Sequence, residues 1–492
     1  MQNIPTVKMG IIAVSRDCFP IELSQKRRSN VYKACKDSGI DLVELKTTVE
    51  NEEDALNAIK EAVDLGINSL VIFLGNFGPE GPLSILAQKF EGPVMFCAAA
   101  EEAASGLLDG RGDAYCGMLN ASISASLRQI RPYIPEYPVG TAQEIANMIK
   151  EFYPVARVIL GVSNLKVFSF GPRPHNFYAC NAPIKALFDL GIEIMENSEL
   201  DLYDIYNQAA GDPRIKTIKS EMESELKTGN TYPDLLEKLA QYEVALMDFY
   251  NNNLGASKYG VFANKCWPSF ESYFGFVPCY VNSRLATRGI PVACEVDIYG
   301  AVTEYMITCA TMSPATLLDI NNSVPVDMFD ANKKIVKDYT INDLFMGFHC
   351  GNTSSECMGN CEIKFQKIMH SLLEPGKEPD ITRGTLEGNI RPGDVTIFRL
   401  QSTADTKLRA YVANGEILNI DPQSFGSIAV FAIKEMGRFY RHVLIAKQFP
   451  HHAGVAFGHT GKTLFSATKL LGVDEIDFNR PAGMLYKDEN PF

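Results

Sequence analysis

The chain has 492 residues, 46% of them hydrophobic and 21% charged, with 59 acidic against 46 basic side chains and a formal net charge of −13. That length accommodates two to four domains with separate cores, and the acidic balance argues against nucleic acid as a partner. No apolar run approaches the roughly 20 residues that span a bilayer, and the first residues lack the pattern of a secretory signal, so a cytoplasmic protein without a membrane partner is expected.

In chain order, Lys8–Val14 reads as a strand and Ile21–Ser38 as a helix closed by Gly39. Asp41–Leu45 is a second strand, followed by a helix over Glu52–Leu65 that ends at Gly66. Ser69–Gly75 and Pro93–Cys97 continue the alternation. Such alternation implies a parallel sheet with helices on both faces, whose ligands sit at strand C-terminal ends. Gly75-Asn-Phe-Gly78 lies at one of them. After Val14, the run Ser-Arg-Asp-Cys-Phe-Pro lacks the glycines that let a backbone approach a pyrophosphate, so no nucleotide cofactor is expected.

A second α/β segment begins at Lys166–Gly171 and runs into the loop Gly171–His175. Helical patterns follow at Ala182–Leu190, Glu199–Ala209 and Tyr232–Tyr250. A further unit runs through Pro291–Glu295 into a helix near Ala301–Cys309. From about Gly384 the texture changes to alternating strands, Asp394–Leu400 and Lys407–Val412, and Asn414-Gly415 reads as a hairpin turn before Ile417–Ile420. The expected fold is α/β: two doubly wound parallel-sheet domains, 1–165 and 166–345, followed by a β-rich, antiparallel or barrel-like domain over 346–492.

Glu295 and Asp319 each close a short apolar run, and His451 and His452 follow another. Two carboxylates and an imidazole at the ends of three separated elements can converge on one divalent ion. A carboxylate-rich set suits Mn²⁺ or Mg²⁺ better than a structural zinc. Such an ion can polarise a sugar carbonyl while a carboxylate moves a proton, which is the chemistry of an aldose–ketose isomerase.

Each group also has a plainer reading. Glu295 could be an acid favoured at a helix start, Asp319 a turn residue, and the histidine pair a polar loop. Asp297 reads as a cap or as support for the ligands. His349 could contact substrate oxygens, orient a ligand or simply end a strand. Cys350, Cys357 and Cys361 beside it lack the two-residue knuckle of zinc sites, and twelve cysteines are too dilute for a disulfide scaffold. Trp267, the only tryptophan, could fill a core or pack on a sugar face. Arg173 and Lys265 could read an anionic substituent such as a sulfonate or phosphate.

The runs Asn264-Lys-Cys-Trp-Pro268, Pro278-Cys279, Gly289–Asp297, Phe348–Asn352, Gly393–Thr396 and Pro450–Gly454 together resemble the L-fucose/L-arabinose isomerase superfamily. The resemblance implies three domains and a Mn²⁺-dependent ketol isomerase, with Mg²⁺ or Co²⁺ as substitutes. It also implies a trimer or hexamer in which a neighbouring subunit helps close the active site. Glu295 and Asp319 match the family's metal-binding, proton-moving carboxylates, and His452, or its neighbour His451, matches the ligating histidine. His349, His451, Trp267, Lys265 and Arg173 are the expected substrate contacts. The expected reaction interconverts an aldose and its ketose through a cis-enediol, with a hydride shift as the competing route, and the expected substrate is L-fucose/D-arabinose-like. The alternatives are a modified hexose such as sulfoquinovose and a non-catalytic sugar-binding protein.

Overall fold

The computed structural model describes residues 3–108 and 110–492. The chain divides into two compact units: residues 5–160 with Ser466–Gly472, and Gly161–Phe465 with Asn3, Ile4 and Val473–Phe492.

In the first unit, strands β1 (Met9–Val14), β2 (Val43–Val49), β3 (Ser69–Leu74), β4 (Val94–Ala99) and β5 (Val139–Gly140) form a parallel sheet in the order β2-β1-β3-β4-β5. Every residue of β1, β3 and β4 is buried, as expected of parallel strands covered on both faces, and this is why they read as unbroken apolar runs. Asn76, just past β3, ties two strand ends together: its Oδ1 accepts from Arg16 N at 3.1 Å and its Nδ2 donates to Ser15 Oγ at 2.9 Å.

The second unit holds two sheets. The smaller is parallel, in the order β7-β6-β8-β9, from β6 (Leu165–Phe170), β7 (Glu193–Asn197), β8 (Tyr259–Ala263) and β9 (Val292–Ala293). The larger has nine strands: β10 (Thr316–Ser323), β11 (Leu344–His349), β12 (Glu362–Phe365), β13 (Arg383–Asn389), β14 (Gly393–Ser402), β15 (Leu408–Leu418), β16 (Ser427–Ala432), β17 (His452–Phe457) and β18 (Glu475–Phe478). Within it the antiparallel succession β16-β11-β10-β17-β14-β15 closes on itself through the pairing of β15 with β16. A small barrel results, with Asp319 on β10 and His452 on β17. The helix Ile298–Thr311 is buried along almost its whole length, packed against β8 and β9 on one hand and β14 and β17 on the other. Asp297 caps it by accepting from Gly300 N at 2.8 Å.

Two local expectations fail. Asn414-Gly415 is not a turn: both residues lie inside β15, where Asn414 pairs with Thr396 and Gly415 with Val395. The glycine serves close approach instead, since a Cβ there would run into the Ala432 carbonyl of β16. The real turn is Thr403–Lys407, closed by Thr406 N donating to Thr403 O at 2.9 Å. The expected helix over Ala182–Leu190 shrinks to Lys185–Phe188, because the preceding residues, Pro183 among them, form a cavity wall.

Candidate active site

The barrel register builds half of the site. Asp319 on β10 stands directly opposite His452 on β17, so the two side chains share one face. Asp319 also pairs with Phe348 on β11, and the next residue there is His349. The other half comes from the loop after β9. Glu295 and Val296 both adopt left-handed backbone, with φ of 63° and 56°, at a cost of about 1–3 kcal/mol each for non-glycine residues. Val296 N donating to Asn264 O at 2.9 Å and Asp297 N donating to Cys294 O at 3.1 Å hold that turn. It aims the Glu295 carboxylate back toward the barrel.

Glu295 Oε2 and Asp319 Oδ1 each lie 3.4 Å from His452 Nε2. His451 Nε2 lies 3.6 Å from the same two oxygens. Asp319 Oδ1 and His452 Nε2 are buried and make no hydrogen bond. A buried polar atom left unpaired costs about 1–3 kcal/mol, and these two, with the Glu295 oxygen beside them, define a place for a cation. Octahedral coordination at 2.0–2.1 Å places neighbouring ligand atoms about 3 Å apart, close to the spacing observed. The donor set therefore fits a hard divalent ion, with Glu295, Asp319 and His452 able to hold it and His451 at the rim.

Behind the histidine runs a buried ionic relay. His452 Nδ1 donates to Asp297 Oδ2 at 2.8 Å. Arg399, fully buried, donates to both Asp297 oxygens at 2.6 and 2.8 Å. Gln401 Oε1 accepts two further guanidinium hydrogens, at 2.6 and 3.1 Å. Burial opposes the charge on Asp297, but Arg399 and His452 overcome it and hold the carboxyl well below the usual range. Burial likewise opposes a charge on His452, yet the hydrogen bond to Asp297 and the carboxylates around it push its pKa well above the ordinary value. A cation at Nε2 would replace that proton and leave Nδ1–H on Asp297, the usual support for a metal-ligating imidazole. Burial also raises Glu295, but the three histidines outweigh it and keep it ionised below its ordinary value.

The other expected residues fall at graded distances from this centre. His349 is buried, and its Nδ1 accepts from Cys350 N at 2.9 Å. Burial lowers its pKa, so a neutral ring keeps its proton on Nε2. Trp267 is half-buried and packs edge-on to Phe177 at 5.9 Å, whose ring in turn meets His451 at 5.3 Å. Arg173 and Lys265 line a cavity of about 810 Å³ that reaches the centre at Cys180. Lys265 is neutralised by Glu199 at 3.1 Å. Arg173 lies over the Tyr178 ring at 4.5 Å, with Nε unpartnered. It has no carboxylate partner among the described residues.

Three residues near the centre carried no signal in the sequence: Cys180, Arg399 and Glu304. Cys180 Sγ lies 3.8 Å from Glu295 Oε2, and burial together with Asp297 pushes its thiol up to about 11. Glu304, on the buried helix, is pushed up to about 8 by burial and Asp297. Cys357 and Cys361 belong to none of the clusters able to hold a metal among the described residues.

A parallel α/β unit, a barrel and a carboxylate–histidine centre beside a cavity that it meets at Cys180 are the frame of an enzyme for a small substrate. Residues 10–163 match the profile for the fucose/sulfoquinovose isomerase N-terminal domain, and residues 347–478 that for the L-fucose isomerase C-terminal domain. A sulfoquinovose isomerase of Priestia aryabhattai is 20% identical over 481 residues, covering 96% of this chain and 99% of that protein. One from Alkalicoccus urumqiensis is 23% identical over 342 residues, 68% of this chain and 69% of that protein. The chain belongs to the L-fucose isomerase-like superfamily and is an aldose–ketose isomerase. The expected L-fucose/D-arabinose-like substrate is overturned, because the matched relatives carry the name sulfoquinovose isomerase.

Proposed function

We propose that the chain is a Mn²⁺-dependent isomerase that interconverts sulfoquinovose, or a closely related sulfonated hexose, and its ketose. The observation that carries the metal dependence is the pair of buried, unpartnered atoms Asp319 Oδ1 and His452 Nε2 facing Glu295. The names of the relatives support the substrate, and so does Arg173, a cavity-lining guanidinium with no acidic partner among the described residues. A methyl-ended sugar such as L-fucose would have no use for that charge.

Glu295, Asp319 and His452 would hold the cation. A bound divalent ion there would polarise the sugar carbonyl and offset negative charge developing on the neighbouring oxygens. One carboxylate takes the C2 proton to give a cis-enediol, and the other moves protons between O1 and O2. Neutral His349 donates from Nε2 to a sugar oxygen, and His451 steadies the same end. Trp267 shapes the wall through Phe177. Lys265 supports the wall through Glu199, while Arg173 grips the sulfonate. We also propose a three-part organisation along the chain and a homo-oligomer, a trimer or hexamer with the site near a subunit interface. The exposed stripe Tyr115, Leu119, Ile123 and Leu127 on one helix supports such assembly. Twelve unpaired cysteines support a reducing, cytoplasmic setting.

The test is ketose formation by metal-stripped protein, with and without Mn²⁺, on sulfoquinovose, D-glucose, L-fucose and D-arabinose. Mn²⁺-restored turnover of sulfoquinovose, lost in Glu295→Gln, is expected. Arg173→Met should raise KM for the sulfonated sugar about 10- to 100-fold, the worth of a charged hydrogen bond. Preference for L-fucose, or indifference to Arg173, would sink the substrate assignment.

A further inference from the structure

Cys180 sits in a short turn on the wall of the cavity, half-buried, with its thiol directed at the centre. No step proposed above uses it. A hard cation gains little from sulfur, whereas zinc and cadmium gain a great deal. We infer that Cys180 makes this centre a thiolate trap: Zn²⁺ or Cd²⁺ is bound through Cys180 Sγ, His452 Nε2 and Glu295 Oε2, drawn away from Asp319, and blocks turnover. The inference rests on the metal-dependent reading above and adds to it a mode of inhibition and a basis for metal choice.

The geometry supports it on each side. His452 Nε2 is fully buried and unpartnered, so a metal that displaces its proton meets a lone pair with no competing hydrogen bond. Glu295 Oε2 lies 3.4 Å from that nitrogen and 3.8 Å from Cys180 Sγ. Cys180, Asp297 and His452 present ligand atoms within 4.8 Å of one another. Asp297 is committed to Arg399, His452 and Gly300, which leaves Glu295 as the third ligand. Tetrahedral zinc, with Zn–S of about 2.3 Å and Zn–N or Zn–O of about 2.0–2.2 Å, sets its ligands about 3.3–3.6 Å apart. A small swing of the thiol closes that triangle, and the cavity supplies water as the fourth ligand. On binding, the Cys180 S–H bond and the His452 Nε2–H bond break, both protons leave to solvent, and sulfur–metal and nitrogen–metal bonds form. Nothing is oxidised or reduced. The same His452 and Glu295 serve both geometries, so a trapped ion excludes the hard one.

The full-length, metal-stripped protein tests this with Co²⁺ as the spectroscopic substitute for Zn²⁺. Ligand-field bands report that Co²⁺ is bound, and a near-ultraviolet sulfur-to-cobalt charge-transfer band reports the thiolate. The wild type should show both. In Cys180→Ser and Cys180→Ala the charge-transfer band should vanish while the ligand-field bands remain. Cd²⁺ affinity should fall about tenfold or more, and Mn²⁺ affinity should change less than about threefold. Bound Co²⁺ without the charge-transfer band in the wild type overturns the inference, as does a band that survives in both variants. Mn²⁺ binding with sulfur-free Co²⁺ removes only the trap. Failure of both ions to bind removes the metal centre and the proposed function with it.

Discussion

Replacing Arg399 with methionine keeps much of the side-chain volume but deletes the two-pronged guanidinium partner of Asp297. Asp297 is 2% exposed. Without the guanidinium it keeps two hydrogen bonds, from Gly300 N and His452 Nδ1, both at 2.8 Å. Breaking a buried pair from one side costs about 3–5 kcal/mol, because the remaining charge is left in a poorly solvated place. The pH dependence carries the sign. In the wild type the folded Asp297 is held far below its unfolded value. Its stabilisation is therefore present above about pH 4 and lost only as pH falls through the lower folded value. In Arg399→Met only His452 and Gly300 oppose burial, so the folded value moves up and the stabilisation that Asp297 contributes shrinks. The gap between the two proteins is thus already open at pH 4, where the wild type keeps its stabilisation, and closes only below it as Asp297 is protonated in both. Thermal denaturation of metal-free protein from about pH 8 to below about pH 4 reads this directly. Calorimetric titration should show Mn²⁺ affinity down about 10- to 100-fold, since the carboxylate that orients His452 is no longer itself held by Arg399. Arg399→Lys keeps the charge but not the two-pronged geometry and should fall between. A pH-independent gap under about 1 kcal/mol with unchanged Mn²⁺ binding would refute the reasoning.

Glu271 is fully buried, neither of its oxygens makes a well-formed hydrogen bond, and burial pushes it up to about 7. Its unfolded state ionises from about pH 4 while the folded state does not, so the wild type loses stability between those values. Glu271→Gln should be more stable by up to about 3 kcal/mol at pH 7 and indistinguishable at pH 4 in paired melting curves. His349→Gln should lower kcat/KM about three- to tenfold, the worth of one hydrogen bond, with Mn²⁺ affinity intact; weakened Mn²⁺ binding would instead make His349 a ligand. Gly415→Ala should cost about 1–3 kcal/mol by crowding Ala432 across the β15–β16 seam, and an unaffected melting temperature would mean that the closure of the barrel is looser than its register suggests.

The strands of the first unit are legible in the sequence for a physical reason. A parallel strand buried on both faces must be apolar throughout, and Met9–Val14, Ser69–Leu74 and Val94–Ala99 coincide with the apolar runs read there. The capped helix Glu52–Asp64 is equally local: Asn51 and Asp54 exchange hydrogen bonds across its first turn. Asn414-Gly415 misleads because a dipeptide states a turn preference without knowing its neighbours. Packing of β16 against Gly415 is a contact between distant segments, and it overrides the local cue. Closure of the barrel is hidden for the same reason.

The site shows the same division between local and distant causes. Glu295, Asp319 and the histidine pair stand out because each polar group ends an apolar run. What brings them together is the β10–β17 register and the left-handed turn at Glu295–Val296, and neither is written in a short window. Arg399 is invisible because β14 is buried from Val395 to Ser402, so no alternation flags one inward charge. The relay nevertheless bears on how the centre works. Asp297 caps a buried helix, holds His452 and is itself held by Arg399, while the backbone bonds on either side of it close the strained turn that carries Glu295. The strain of about 1–3 kcal/mol per left-handed residue is thus borne by the Asp297 network and by burial of Val296. Glu295 and His452 face each other at 3.4 Å through protein contacts alone. A cation arriving there meets ligands already in place, and the cost of organising them falls on folding rather than on binding.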